Sequence, residues 1–400
     1  MSLLNFTDSR QLLLDMARTM TPSEDCAIEH ALHRVLAEDA LALCDSPPSD
    51  VSTLDGYAIA ASDLAPSGET RLRVSQRIAA GSVGAALGAG EAARIFTGAA
   101  MPPGADAIVA QESARMEGDK VCFSVRPDVF DDVRRQGADF RTADRLLPQG
   151  TRLKPAHLGL LASAGIATLR VHTPLRIALL TSGDEVIAPG LPLRPGGIYN
   201  ANAAMLRGLL LDMGCKVTFE RHLPDDLETT RRTLTEAAGA CDVILTSGGV
   251  SVGEEDHIKS AVQSLGRLDL WKVRMKPGKP LAFGYVADTP FIGLPGNPVS
   301  GFATFALFAR PFLLKSMGAE VNALRPLRLP AAFSHTRMSD RREFARGRIT
   351  AQQSVELYAN QGSGILSSLS WAEALVELPE NTPIAPGDQV NVHLLSELFA

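Results

Sequence analysis

The spacing of apolar and polar positions changes texture four times along the chain. From Thr7 to Met20, Leu12, Leu13, Met16, Ala17 and Met20 recur near helical intervals. That predicts an amphipathic helix, with Asp8 or Thr7 as its cap. A second helical pattern covers Ile28 to Val35, and Pro47-Pro48 ends regular structure. From about 46 to 146 the apolar positions fall into short, partly alternating runs such as Arg71-Leu72-Arg73-Val74 and Val121-Cys122-Phe123-Ser124-Val125. Glycine and proline punctuate them, which predicts a small, mainly β domain. Helical spacing returns from Pro155 to Ala164, with proline in its first turn and Gly165 as its C-cap. The β stretch (46–146) therefore reads as an insertion between two pieces, 1–45 and 147–173, of one elongated, largely helical region.

Residues 174–324 read as α/β. Three units share a strand, a Gly-rich turn and a helix. The first is Arg176-Ile177-Ala178-Leu179-Leu180 before Thr181-Ser182-Gly183-Asp184-Glu185. The second is Val243-Ile244-Leu245 before a Gly/Ser run from Thr246 to Gly253. The third is Phe291-Ile292-Gly293-Leu294 before Pro295-Gly296-Asn297-Pro298 and an apolar helix to about Leu314. Alternating strands and helices imply a parallel sheet with ligands at the carboxyl ends of its strands. All three turns would lie on that edge. Residues 325–400 turn β-like again, with strands expected at 355–358, 374–378 and 389–394, enough for a small C-terminal β-barrel. The whole is a multidomain chain of α+β and α/β parts.

Composition narrows the possibilities. A chain of 400 residues exceeds one ordinary core. No apolar run reaches the ~18 residues of a membrane span, and residues 1–20 lack the pattern of a signal peptide. Five cysteines without C-x-x-C spacing point to reduced thiols and a cytoplasmic location. A net charge of −6 argues against nucleic acid or an anionic membrane as primary partner. Any anionic ligand must be held by a local basic patch.

Two charged sets carry candidate chemistry. Glu185, Asp225, Glu254, Glu255 and Asp256 follow strand ends. Two like charges about 4 Å apart repel by roughly 4 kcal/mol at an effective dielectric of 20, so converging carboxylates call for a cation. Magnesium shared with a phosphate would supply it. For any one of these acids alone, helix capping accounts for its place. The second set is Lys272, Arg274, Lys276 and Lys279. The first three alternate with Val273 and Met275 and would share one strand face, with Pro277-Gly278 turning Lys279 inward. Lysines blunting a solvated edge strand are the competing account. Asp55-Gly56 is first a turn signal. His30 and His33 have no evident third ligand, Ser251 has no adjacent base, and Gly-x-Gly-x-x-Gly is absent after the strands.

Together the motifs resemble the molybdopterin molybdotransferase family, which includes bacterial MoeA and the gephyrin E domain. Thr-Ser-Gly-Asp-Glu at 181–185, Ser-Gly-Gly-Val-Ser-Val-Gly-Glu-Glu-Asp at 247–256, Lys-Pro-Gly-Lys-Pro at 276–280 and Gly-Leu-Pro-Gly-Asn-Pro-Val-Ser at 293–300 occur in order. Leu-Asp-Gly-Tyr-Ala (54–58) and Phe-Thr-Gly (96–98) precede them; Glu-Phe-Ala-Arg-Gly (343–347) and Gln-Gly-Ser-Gly (361–364) follow. The resemblance covers nearly the whole chain. It implies insertion of molybdate into adenylylated molybdopterin, with magnesium and release of AMP, by an elongated homodimer of four-domain subunits whose site lies between subunits. It implies that Glu185, Asp225 and Asp256 are the acidic, metal-holding residues and that Asp55 and Thr97 face them from the other subunit. Lys272 and Lys276 would be cleft lysines. Lys276, Lys279, Arg346 and Ser363 would gather around molybdate. Thr181, Ser182, Gly248, Gly249 and Ser251 would lie on the pterin-phosphate loops. The adenylyltransferase that supplies the substrate would be a partner. Two departures stand near the cleft: Val51-Ser52-Thr53-Leu54 replaces the usual Asn-Ser-Ala-Met, and Tyr199-Asn200 the usual Tyr-Asp. A non-catalytic scaffold of the same fold and a molybdopterin adenylyltransferase are the rival readings.

Overall fold

A computed structural model describes residues 4–250 and 257–399. Its central sheet has six strands, in the order Lys216–Leu223, Arg176–Ser182, Val243–Ser247, Thr289–Leu294, Ala282–Val286, Gly266–Trp271. The first four pair with one another in parallel. The three strands expected to be parallel are so, and the last two strands of the order, which run antiparallel to their neighbours, extend that sheet. The physical reason is connection length. Ala282–Val286 and Thr289–Leu294 are joined through Ala287 and Asp288, with Ala287 at φ 49°, and so short a link reverses the chain.

Successive residues of these strands feed two cores. Ile177, Leu179, Val243, Leu245 and Ile292 pack on one face, and Ala178, Leu180, Ile244 and Phe291 on the other. Period-two alternation with both faces covered explains why the runs are apolar throughout. The second face is covered by Leu227–Ala240, which buries Thr230, Thr233, Leu234 and Ala237 at helical spacing, and by His257–Leu265. The first face receives Ala201–Asp212 and a long apolar helix. That helix runs Pro298–Thr304, widens into a π turn at Phe305–Ala309, and continues as Arg310–Ser316.

The first helix, Phe6–Met16, is capped by Asn5, whose side chain accepts the Asp8 N–H at 2.8 Å; neither Thr7 nor Asp8 is the cap. Phe6 and Leu13 join the central core, with the Phe6 ring 5.3 Å from Phe308 and 4.9 Å from Phe344. The helix thus belongs to the central body, not to an elongated helical region. Nor is 28–35 a helix. Only a 3-10 turn, Ile28–His30, forms, and His33 at φ 65° leaves the helical path. Strands instead hold this part together: Ser23–Ala27 pairs Thr168–His172, and Ala40–Leu41 pairs Arg145–Leu147. The helix Pro155–Ser163 forms as expected, with Gly165 at φ 81° just beyond it.

Two further six-stranded sheets flank the centre. One is ordered Ala107–Ala110, Gly56–Ile59, Glu91–Ile95, Thr70–Ile78, Lys120–Phe123, Ala114–Glu117. The other is ordered Met275–Lys276, Arg342–Ile349, Ala374–Leu378, Gln389–Leu394, Leu327–Pro330, with Val355–Leu357 also on Arg342–Ile349. A bridge between Ala331 and Val355 brings the end of its last strand against Val355–Leu357. Its short member, Met275–Lys276, comes from the chain between two central strands.

The aromatic seam between the first helix and the long helix should dominate the core. Phe308→Ala is expected to cost about 3–5 kcal/mol in urea unfolding, since a fully buried ring leaves a cavity. A loss below 1 kcal/mol would contradict this packing.

Candidate functional site

The strand order changes direction at Arg176–Ser182. Its successor in sequence, Lys216–Leu223, lies on one side, and the next strand, Val243–Ser247, on the other. Such a switch point opens a crevice at the carboxyl ends of the strands. A cleft of about 770 Å³ lies there, and its walls include Thr181, Ser182, Glu185, Asp225, Gly248 and Gly249.

The backbone at this point is specified by glycine. Gly248 and Gly249 have φ of 91° and 66°. A Cβ on Gly248 would come within 2.9 Å of Ser182 Oγ, and one on Gly249 within 2.4 Å of Ile258 Cδ1. Gly248 N–H donates to Leu294 O at 3.1 Å, so this amide is committed to the neighbouring strand end.

Two asparagines at the start of Ala201–Asp212 organise the cleft floor. Neither is among the expected site residues. Asn202 Nδ2 donates to Ser247 Oγ at 2.9 Å and to Gly296 O at 2.6 Å, and Ser247 Oγ donates to Pro295 O at 3.2 Å. One side chain thereby ties two strand ends together. Asn200 accepts the Ala203 N–H at 3.0 Å as helix cap and donates Nδ2 to Thr181 Oγ1 at 2.8 Å. Thr181 Oγ1 lies 3.1 Å from His222 Nδ1. An aspartate at 200 would keep the cap but lack the N–H donor, so this departure rewires Thr181. For Asn200 the advance signal was its departure from the usual Tyr-Asp; for Asn202 it was only an amide where caps are common.

The structure separates the acidic residues by role. Asp226 caps Leu227–Ala240 through the Thr229 N–H at 2.7 Å. Asp225 instead lines the cleft with Glu185. Asp225 Oδ2 accepts the Asp184 N–H at 3.1 Å, and Asp184 Oδ1 accepts the Asp225 N–H at 3.2 Å, which fixes the two turns against each other. Asp256 and Ser251, with Glu254 and Glu255, lie outside the described residues. Among the described residues no three His, Cys, Asp or Glu side chains form a metal cluster. Two hard carboxylates in one cleft nevertheless suit magnesium, which takes one or two protein carboxylates and completes its shell with phosphate and water.

The basic residues divide between places. Lys276 Nζ donates to Glu343 Oε2 at 2.8 Å. Lys276 and Arg346 share a smaller cavity, about 220 Å³, with Arg337. Arg346 is buried, donating Nε to Ser368 Oγ at 3.0 Å and Nη2 to Gly362 O at 3.1 Å; burial pushes its pKa down to about 10. Lys279 is exposed and Ser363 half-buried, and neither lines that cavity. The expected inward turn of Lys279 is therefore corrected: Val273 N–H bonds the Lys279 carbonyl at 2.9 Å, and the side chain projects to solvent. Lys272 breaks the expected strand at φ 77° and bonds Leu281 O through its N–H at 3.0 Å. The alternation survives as burial, with Val273 and Met275 inside and Lys272, Arg274 and Lys276 half-buried.

Asp55 and Thr97 meet because Gly56 pairs with Ile95 across adjacent antiparallel strands. Thr97 donates both its N–H (2.9 Å) and its hydroxyl (2.8 Å) to Asp55 Oδ1. These bonds, the backbone one foremost, hold the Asp55 carboxyl below its usual range. The pair lies outside the lining of the cleft in one chain.

Three family models match in sequence: MoeA N-terminal region (domain I and II) over residues 4–165, a probable molybdopterin binding domain over 178–315, and MoeA C-terminal region (domain IV) over 328–395. A molybdopterin molybdenumtransferase of Haemophilus influenzae is 33% identical over 407 residues, covering 99% of this chain and 100% of its own. One from Bacillus subtilis is 32% identical, covering 94% and 90%. The crystal structure of a molybdopterin biosynthesis moeA protein from Pyrococcus horikoshii has a TM-score of 0.85 at 29% identity, covering 98% of this chain and 100% of that one.

The Asp55 pair generates a pH prediction. Thr97→Val removes the hydroxyl donor and keeps the N–H, so the Asp55 pKa should rise part of the way towards the unperturbed ~3.9. NMR titration reads this directly. Because the folded pKa is depressed, the pair's contribution is present above the unfolded value and fades as pH falls through the folded one. An unchanged Asp55 titration in the variant would refute the assigned bond.

Proposed function

Because the chain belongs to the MoeA family of molybdopterin molybdenumtransferases, we propose that it inserts molybdate into adenylylated molybdopterin, releasing AMP, in molybdenum cofactor biosynthesis. The observation that carries this reading is the meeting of Glu185 and Asp225 with the glycine-rich strand ends in one cleft. A phosphate-bearing ligand needs close backbone approach, which the glycines allow. It also brings charge that opposes the carboxylates. Magnesium, when bound by Glu185 and Asp225, and by Asp256 as the family resemblance implies, would offset charge between those acids and the diphosphate link.

The remaining work falls to the chain itself. Ser182, Gly248 and Gly249 would seat the pterin phosphate, with Thr181 held by Asn200 and with Ser251 alongside. Asp225, fixed by Asp184, would orient the oxygen that attacks the adenylate phosphorus. Lys272 and Lys276 would supply positive charge towards molybdate, a tetrahedral dianion. Lys279 and Ser363 would complete that surface. Arg346 acts through its bond to Gly362 O, setting the loop that carries Ser363 and the cleft residue Gly364. We place the enzyme in the cytoplasm as a homodimer, with Asp55 and Thr97 of one copy facing the cleft of the other; its five cysteines are all free thiols. The adenylyltransferase that makes the substrate would deliver it.

The test is AMP release from adenylylated molybdopterin. Release should require both molybdate and magnesium, and Asp225→Asn should slow it by about 10- to 100-fold. AMP release indifferent to molybdate, or adenylylation of molybdopterin from ATP, would overturn the assignment.

A further inference from the structure

A further cavity, about 460 Å³, lies where several separate parts of the chain meet. Arg10 reaches it from the first helix, Arg152 and Lys154 from the turn before Pro155–Ser163, and Arg310 from the long helix. Arg325 comes from the segment before Leu327–Pro330. Against these five cations the walls offer two carboxylates, Glu320 and Glu397. In a chain of net charge −6, such a concentration of like charge is not inherited from composition.

The cations are held there at a cost. Arg310 is 8% exposed, and burial, followed by the nearby Arg152 charge, pushes it down to about 10. Burial likewise lowers Arg10 and Arg152. Arg152 Nη2 donates to Asp212 O at 2.7 Å. Among the described residues, the Nε atoms of Arg10 and Arg152 are buried without a hydrogen-bond partner. Converging guanidiniums with buried N–H groups to spare are relieved by a multivalent anion. Pro311, Leu314, Val321 and Leu324 add an apolar wall. The volume lies in the range of small-molecule sites.

We propose that this cavity binds a diphosphate-bearing anion, at a site distinct from the cleft at the strand ends. Five cations less three carboxylates (Glu320, Glu397 and the Asp212 that acts on Arg152 and Arg310) leave an excess of two, and its spread over several elements suits two linked phosphates better than one. The same chemistry comes from inorganic pyrophosphate or from a nucleoside diphosphate, whose base would lie on the apolar wall.

Isothermal titration of the full chain with pyrophosphate, ADP and orthophosphate tests this. Lys154 and Arg325 are both exposed, so Lys154→Ala with Arg325→Ala should keep the fold, checked by circular dichroism and the ligand-free Tm. The double variant should lose at least about tenfold in pyrophosphate affinity, since charge-assisted bonds are removed. The cleft variant Asp225→Asn should bind as the parent does. Tighter ADP than pyrophosphate assigns the nucleotide as source, and the reverse assigns the inorganic ion; either supports the site. No binding, orthophosphate binding as tight as pyrophosphate, or loss in Asp225→Asn but not in the double variant overturns it.

Discussion

Two strand ends come so close beside the cleft that an added Cβ on the glycines would crowd the facing Ser182 side chain. Gly248 and Gly249 stand where a Cβ would strike Ser182 Oγ or Ile258 Cδ1, and both hold left-handed φ angles. Everything near the cleft follows from that closeness. It keeps the wall backbone-lined, and it lets Asn202 span Ser247 and Gly296 with a single amide. It leaves the acids to enter from the turns just beyond, where Asp184 and Asp225 brace each other. The carboxylates therefore stand on rigid elements, which a site that must hold opposed charges requires.

The charges are also kept apart by architecture. Glu185 and Asp225 lie on the central sheet, whereas Lys276, paired with Glu343, and the buried Arg346 belong with the C-terminal sheet. Opposite charges built on separate sheets cannot collapse onto one another. A ligand bearing both an anionic and a metal-associated part would be the bridge between them.

Much of this arrangement was legible from residue pattern because strands and sites share one cause. Apolar runs ending in glycine mark both a buried parallel strand and its functional end, so Arg176–Ser182, Val243–Ser247 and Thr289–Leu294 were visible together. The later strands Ala374–Leu378 and Gln389–Leu394 fell where alternation put them. What pattern does not encode is partnership. The first helix showed an apolar face, but nothing in its spacing said that the face meets Phe308 and Phe344, hundreds of residues away. Asn202 was hidden because an amide at a helix start resembles an ordinary cap, and Asn200 stood out as a departure without any sign that it bonds Thr181. Lys279 was misplaced because a Pro-Gly turn reverses backbone direction without fixing where the next side chain points. The antiparallel pair at the sheet's far edge was masked by composition, since buried strands of either direction look alike.

The pairing of Met275–Lys276 with Arg342 and Glu343 has a consequence for modularity. The outer rung of the C-terminal sheet is not encoded within the last 75 or so residues; the middle of the chain lends it. Excised on its own, that sheet would present the free amides and carbonyls at the start of Arg342–Ile349 as an unsheathed margin, open to pairing with any passing strand. Gene fusions and truncations cut between 276 and 342 would thus inherit a sticky fragment, whatever became of the chemistry.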